Sequence, residues 1–239
     1  MESKSCSNKT GPRLPRLPRN VRDNIYRRVL VVPHPLYLYT QGTSDKVELF
    51  APDRPARWLA LLYTSRAIHD QAVETLYGSH QFVLVDTARS SQAALLQSFL
   101  RLIRPANVAC LRHICINFPA AVVVDVTDER RTTGDRTGPS MLCEDELRGL
   151  RLIRDKCRGL TTVEMYLHNE NSRGVVVAAA GQEGEMSRHV EQVLAEVDAE
   201  FRAIGSWKKK VIVRLYKGPL TPEVAELMQS FGWVVLPGK

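Results

Sequence analysis

A chain of 239 residues and 26.9 kDa is long enough to bury a core without disulfide or metal staples, as one large domain or two small ones. Apolar residues at 44% and charged residues at 25% exclude wholesale disorder, and no apolar run approaches the roughly 18 residues that span a bilayer. The net charge of +7 is concentrated in residues 1–30, which carry eight basic and two acidic side chains, whereas 25 basic groups meet 24 acidic ones over 31–239. A nearly neutral body does not require a broad phosphate-binding face.

The N-terminal thirty residues lack the apolar stretch of a signal peptide, so an intracellular protein, cytoplasmic or nuclear, is expected. Residues 1–14 read as a disordered basic tail. Pro12, Pro15 and Pro18 recur at every third position, which favours a polyproline II lead-in over an SH3-type ligand built on Lys9, Pro12 and Pro15. A helix follows, with Asn20 as its cap and Val21, Ile25 and Val29 on one stripe beside Tyr26 and Leu30; Pro33 and Pro35 stop it. Residues 31–57 read as an inserted, irregular link with short strands at Leu36–Tyr39 and Val47–Phe50. A second helix is predicted from Trp58 to Tyr77, with small Ser65 on its apolar face and Gly78 as its stop.

From there strands and helices alternate. His80–Val85 is a predicted strand, Ser91–Arg104 a helix that Pro105 ends, and Leu111–Phe118 a strand. Residues 127–139 read as a mobile loop, and Ser140 as the cap of a helix running through Leu147, Leu150 and Ile153 to Cys157, stopped by Gly159. Thr162–His168 is a strand; residues 169–183 fit either strand or helix. An amphipathic helix carries Met186, Val190, Val193, Leu194, Val197, Phe201 and Ile204, and Gly205 closes it. Val211–Tyr216 is a strand, Thr221-Pro222 a helix start with proline at its first position, and Trp233–Leu236 the last strand. This succession predicts an α/β fold with a parallel or mixed sheet. A leucine-rich-repeat-like layer is the alternative, although the strand spacing is uneven.

Chemistry-bearing motifs are absent. No nucleophile elbow, P-loop or dinucleotide fingerprint occurs, and the histidines are scattered singly, so no catalytic, cofactor-binding or metal-binding residue is assigned and a non-enzyme is expected. Five cysteines without a CxxC pair suit a reducing compartment. Cys110, His113 and Cys115 do not match a zinc spacing; alternation on a strand should turn His113 and Cys115 to one face, as buried groups. Lys208–Lys210 beside Trp207 reads as a solvated strand edge.

The segment Leu17-Pro18-Arg19-Asn20-Val21-Arg22-Asp23-Asn24-Ile25-Tyr26-Arg27-Arg28-Val29-Leu30 resembles the opening helix of an F-box. It is similar in particular to the F-box-like segment of fungal protein families, which continue with a helix ending Leu-Tyr-Gly; Leu61–Gly78 matches that helix, and the likeness extends over about residues 15–116. Asn20 stands where an F-box prefers Glu, and Ser65, His69 and Gln71 replace Cys, Tyr and Glu. The resemblance implies a helical element over residues 15–80, packed on an α/β region over 81–239, in a protein-interaction module. It further implies a substrate receptor of a cullin–RING ubiquitin ligase, with Leu17, Pro18, Val21, Ile25, Val29 and Leu30 meeting the adaptor and the α/β part meeting a target protein. The alternative is a binder of nucleic acid or an acidic surface through the basic N-terminus and Lys208–Lys210.

Overall fold

The computed structural model describes residues 14–41, 46–85, 91–119, 121–123, 140–168, 185–203, 210–216 and 220–238. The predicted tail apart from Leu14, the 127–139 loop and the ambiguous 169–183 stretch lie outside them. Leu14–Arg16 makes a 3-10 turn rather than polyproline II, because Leu17 N–H closes on Leu14 C=O at 3.2 Å. Helix α1, Arg19–Leu30, starts one position before the expected cap: Pro18 is the N-cap, and its carbonyl accepts from Val21 and Arg22 N–H. Asn20 sits inside the first turn, where it caps nothing.

The link after α1 is more regular than its sequence suggests. Strands β1 (Leu36–Thr40) and β2 (Val47–Phe50) pair antiparallel and belong to the main sheet. The second predicted helix is cut in two. Ala60–Tyr63 forms a 3-10 turn, and helix α2 runs Arg66–Ser79 from Ser65, whose Oγ accepts the Ile68 N–H at 3.3 Å. Serine competes with the backbone for hydrogen bonds in a helix interior and is favoured at the cap, which explains why the helix starts there. Gly78 lies within α2, and His80 caps the end.

Strand β3 is Gln81–Leu84, and helix α3, Gln92–Val108, starts at Ser91, whose Oγ accepts from Ala94 N–H. Pro105, expected to end the helix, instead sits inside it: Arg104, at φ 69° and ψ 153°, makes a kink, after which helical turns resume to Val108. A residue before proline is driven out of the α region, and the positive φ adds strain of about 1–3 kcal/mol. Strand β4 is His113–Asn117; strands β5 (Ala121–Val123) and β6 (Ser140–Leu142) form a separate antiparallel pair. Ser140 is therefore a strand residue, and Cys143 caps helix α4, Glu144–Lys156, whose first-turn acids favour the helix dipole. Gly159, two residues past the C-cap, is required by a close approach: a Cβ there would lie 1.9 Å from the carbonyl oxygen of Ala109. Strand β7 (Thr162–His168), helix α5 (Glu185–Arg202), strand β8 (Lys210–Tyr216), helix α6 (Pro222–Ser230) and strand β9 (Val234–Pro237) complete the chain.

The fold is mixed α/β. Seven strands stand in the order β2-β1-β3-β4-β7-β8-β9, and every pair except β1–β2 is parallel. Beyond the β2 edge the strand order follows the chain order, so each crossover steps the same way. Crossovers of one hand then deliver successive helices to one face of the sheet. The packing agrees: Phe82, Ile114, Val163 and Val213 share one apolar cluster with Leu96 and Phe99 of α3, Leu150 of α4, Leu194 and Val197 of α5 and Met228 of α6. Val83, Cys115 and Ile212 point the other way; they are buried but lie outside that cluster.

A smaller apolar cluster joins α1 to α2. Tyr26, Leu30 and Ala72 are fully buried in it, with Ile68, while the Tyr26 hydroxyl and Arg22 Nε both donate to Gln71 Oε1 at 3.2 and 2.9 Å. His80 ties this helical pair to the sheet. Its Nδ1–H donates to Leu76 C=O at 2.7 Å, and its Nε2 accepts Val32 N–H at 3.1 Å, so both ring nitrogens are used and only the neutral ring fits. Burial lowers its pKa from the ordinary value, although the bond to Leu76 opposes the shift.

The unfolded chain thus takes up a proton at His80 before the folded chain does. Stability should be at its plateau above about pH 6.5 and should fall as the pH drops below that value. The urea midpoint at pH 7.5 and 5.5 tests this in the wild type and in a His80→Gln variant. The variant should be less stable at pH 7.5 and should lose part of the acid sensitivity; an equal acid-induced drop in both chains would exclude His80 as its source.

Candidate functional site

The sheet face turned away from the helices carries the groups with chemistry. Strand alternation places Gln81, His113, Cys115, Glu164, Tyr166, Arg214 and Tyr216 there, opposite Phe82, Ile114, Val163 and Val213. Parallel register aligns Tyr37, Val83, Cys115, Glu164, Ile212 and Val234 in one row across the sheet. His113 lies one row before Glu164, and Tyr166 beside Arg214 one row after it.

Glu164 is the hub. Its side chain is 2% exposed, and three neighbours supply it with donors. Arg214 Nε donates to Oε1; His113 Nε2 and Gln81 Nε2 approach Oε2 at 3.2 and 3.0 Å. Burial pushes the carboxyl pKa up, but the bonds from His113 and Arg214 outweigh it and hold the group below the usual carboxylate value. Glu164 is therefore an ion at neutral pH, and Arg214, with 15% of its side chain exposed, compensates it.

Cys115 belongs to the same network. Gln81 Nε2 donates to its Sγ at 2.7 Å and lies 3.4 Å from the Tyr166 hydroxyl. Burial, opposed by the bond from Gln81, pushes the thiol up to about 12. Such a thiol is protonated at neutral pH and is a poor nucleophile, so the Cys–His–Glu grouping lacks the activated sulfur that covalent catalysis needs. Tyr166 is raised as well, chiefly by burial and then by Cys115. The sulfur of Cys115, a ring nitrogen of His113 and a carboxylate oxygen of Glu164 all lie within 4.8 Å of one another, and these three residues could hold a metal ion.

An aromatic shelf extends the site. Tyr216 meets the edge of Tyr166 at 5.3 Å between ring centroids and stacks on His168 at 5.2 Å, while Tyr37 and Phe50 pair at 6.2 Å nearer the other edge. Phe50 is 54% exposed. On the helical side a cavity of about 460 Å³ is lined by Leu36, Leu38, Trp58, Tyr77, Phe99 and Ile103, among others, and is mainly apolar. Among the described residues it brings together no acid–base pair.

The residues expected to meet a partner divide between two environments. Leu30 is fully buried against α2, Leu17 and Ile25 are half-buried, Pro18 is exposed, and Val21 and Val29 are 39% and 42% exposed. The basic surface is only partly described. Residues 1–13, Lys208 and Lys209 lie outside the described residues, and Lys210 is an exposed strand start. Arg19 pairs with Asp23 and Glu74, each at 2.8 Å.

Alternation correctly sets His113 and Cys115 on one face, but it misses their surroundings: the pair sits in a polar network, with His113 half-exposed. Cys110 is elsewhere, at the α3 end, with its Sγ against Ala106 C=O at 3.8 Å. Gln81, Glu164, Tyr166 and Arg214 went unassigned because only strand order brings them together. The available signal was the polar alternate row Thr162, Glu164, Tyr166 and His168 within an otherwise apolar strand. Among known proteins, no protein-family model, no curated protein and no solved structure matches the chain.

Removing Arg214 leaves the Glu164 charge buried without its counterion. Arg214→Ala should cost about 3 kcal/mol, at the low end of the range for breaking a buried pair because Arg214 keeps some contact with water. A double Glu164→Leu, Arg214→Leu variant should recover part of that loss in urea unfolding at pH 7. A double variant less stable than Arg214→Ala would contradict the assignment of the cost to an uncompensated charge.

Proposed function

We propose that this chain is an F-box-like interaction protein, a substrate receptor in which the outer face of α1 docks on the adaptor of a cullin–RING ligase and the sheet face that no described helix covers captures a target. The observation that carries the reading is the division of labour along α1. Tyr26 and Leu30 turn inward and hold the helix to α2, whereas Val21 and Val29 stay exposed although nothing in a self-contained helix pair requires valine there. With half-buried Ile25 between them at four-residue spacing, the two valines make one apolar stripe of the kind an amphipathic helix lays into a groove.

The sheet supplies the second half of the reading. Strands succeed one another in chain order with helices on one face, an arrangement similar to a leucine-rich-repeat layer, whose opposite face is a recognition surface. Here that face offers tyrosines, a histidine and an exposed phenylalanine, side chains enriched at protein interfaces. No helix among the described residues is long and apolar enough to cross a membrane.

Val21→Asp and Val29→Asp test the docking face without entering the core. A chain carrying both substitutions should keep its circular-dichroism spectrum and urea midpoint but lose capture of purified cullin adaptor in a pull-down that retains the wild type. Failure of the folded wild type to bind any cullin adaptor tested would overturn the reading.

A further inference from the structure

We propose that His113, Cys115 and Glu164 form a zinc site on the face of the sheet that no described helix covers, a site independent of adaptor docking. The placement comes from strand geometry. His113 and Cys115 are two residues apart on β4, hence on one face, and Glu164 of β7 is the direct cross-strand partner of Cys115. Three ligands from adjacent positions of neighbouring strands converge on one point above the sheet, with Cys115 and Glu164 buried and His113 half-exposed.

The dimensions suit the ion. Zinc bonds of about 2.0–2.3 Å to nitrogen, oxygen and sulfur set neighbouring tetrahedral ligands roughly 3.3–3.7 Å apart. Glu164 Oε2 and His113 Nε2 are 3.2 Å apart, and all three donor atoms fall within 4.8 Å, so small side-chain rotations close the set. A thiolate, an imidazole and a carboxylate together favour zinc over the hard cations, which take oxygen ligands.

The neighbours support this use. Arg214 engages Oε1 of Glu164 and orients the carboxylate from behind, while Oε2, held by His113 and Gln81, faces the other two ligands. The amide nitrogen of Gln81 lies where the sulfur and Oε2 converge, 2.7 and 3.0 Å from them. Gln81 turns that amide aside to admit the ion, and water takes the fourth position. On binding, the S–H bond of Cys115 breaks and its proton leaves to solvent, the neutral His113 ring gives up its Nε2 hydrogen and takes the Nδ1–H tautomer, and zinc–sulfur and zinc–nitrogen bonds form; no electron is transferred.

A network of Glu164, Arg214, His113 and Gln81 that serves only its own hydrogen bonds is the competing reading, and metal titration separates the two. Full-length protein stripped with chelator should bind one Zn²⁺ per chain with a Kd below about 1 μM by calorimetry. Co²⁺ in its place should give the near-ultraviolet sulfur-to-cobalt absorption of a thiolate ligand. Cys115→Ser should abolish that absorption, and both Cys115→Ser and His113→Ala should weaken zinc at least about 100-fold. Cys110→Ser and Cys143→Ser, at an intermediate and an exposed cysteine, should leave binding unchanged. No stoichiometric binding in the wild type, or binding that survives loss of Cys115 and His113, overturns the site. Absence of the thiolate absorption from the cobalt-loaded wild type overturns the site even if a variant fails to fold.

Discussion

The strand order is the constraint from which the rest of the molecule follows. A parallel sheet needs a crossover between neighbouring strands, and crossovers have one favoured hand. When each new strand is added to the same edge, as in β1-β3-β4-β7-β8-β9, that hand sends the connecting helices to the same side. A sheet that reversed its direction of growth would be covered on both faces. This one concentrates its apolar contacts with α3, α4, α5 and α6 on one face. The other face is left, among the described residues, to the side chains of the strands themselves.

That asymmetry sets what each strand residue must do. Facing the helices, Ile114, Val163, Met165 and Val213 meet apolar partners, and burying each is worth about 1.5–3 kcal/mol. On the far side, Cys115 and Glu164 are equally hidden but are enclosed by polar and aromatic neighbours. A buried carboxylate is tolerable only when its charge and lone pairs are matched, which is why Arg214, His113 and Gln81 gather around one residue. The polar face is therefore a coupled unit in which replacing one member changes the protonation or pairing of the others.

The helical pair α1–α2 is attached by a different kind of contact. Its own cluster is small, four buried residues, and its coupling to the sheet includes a neutral imidazole that receives one backbone N–H and donates to one carbonyl. Trp58 meets the ring edge-on at 5.9 Å and shields it from water. Such a joint is directional, since a charged ring would present an N–H to the N–H of Val32. The exposed face of α1 and the polar face of the sheet thus belong to separately packed parts of one chain.

Local rules carried much of the fold. Period-two alternation located Thr162–His168 to the residue, and proline after threonine located the start of α6. The errors have local causes that compete with periodicity: Ser65 caps instead of riding inside a helix, Pro18 takes the cap expected at Asn20, and Ser140 enters a strand. Of the candidate site, alternation made the shared face of His113 and Cys115 legible, because two residues on one strand have fixed relative directions. It could not reveal Glu164 or Arg214, which are 51 and 101 residues from His113 in the chain. Which strands become neighbours depends on how crossovers stack over the whole sheet, and no local spacing encodes that. The sequence by itself determined the elements and the two faces of each strand; only the tertiary structure decided which faces were joined, because register and strand order are properties of the packed sheet.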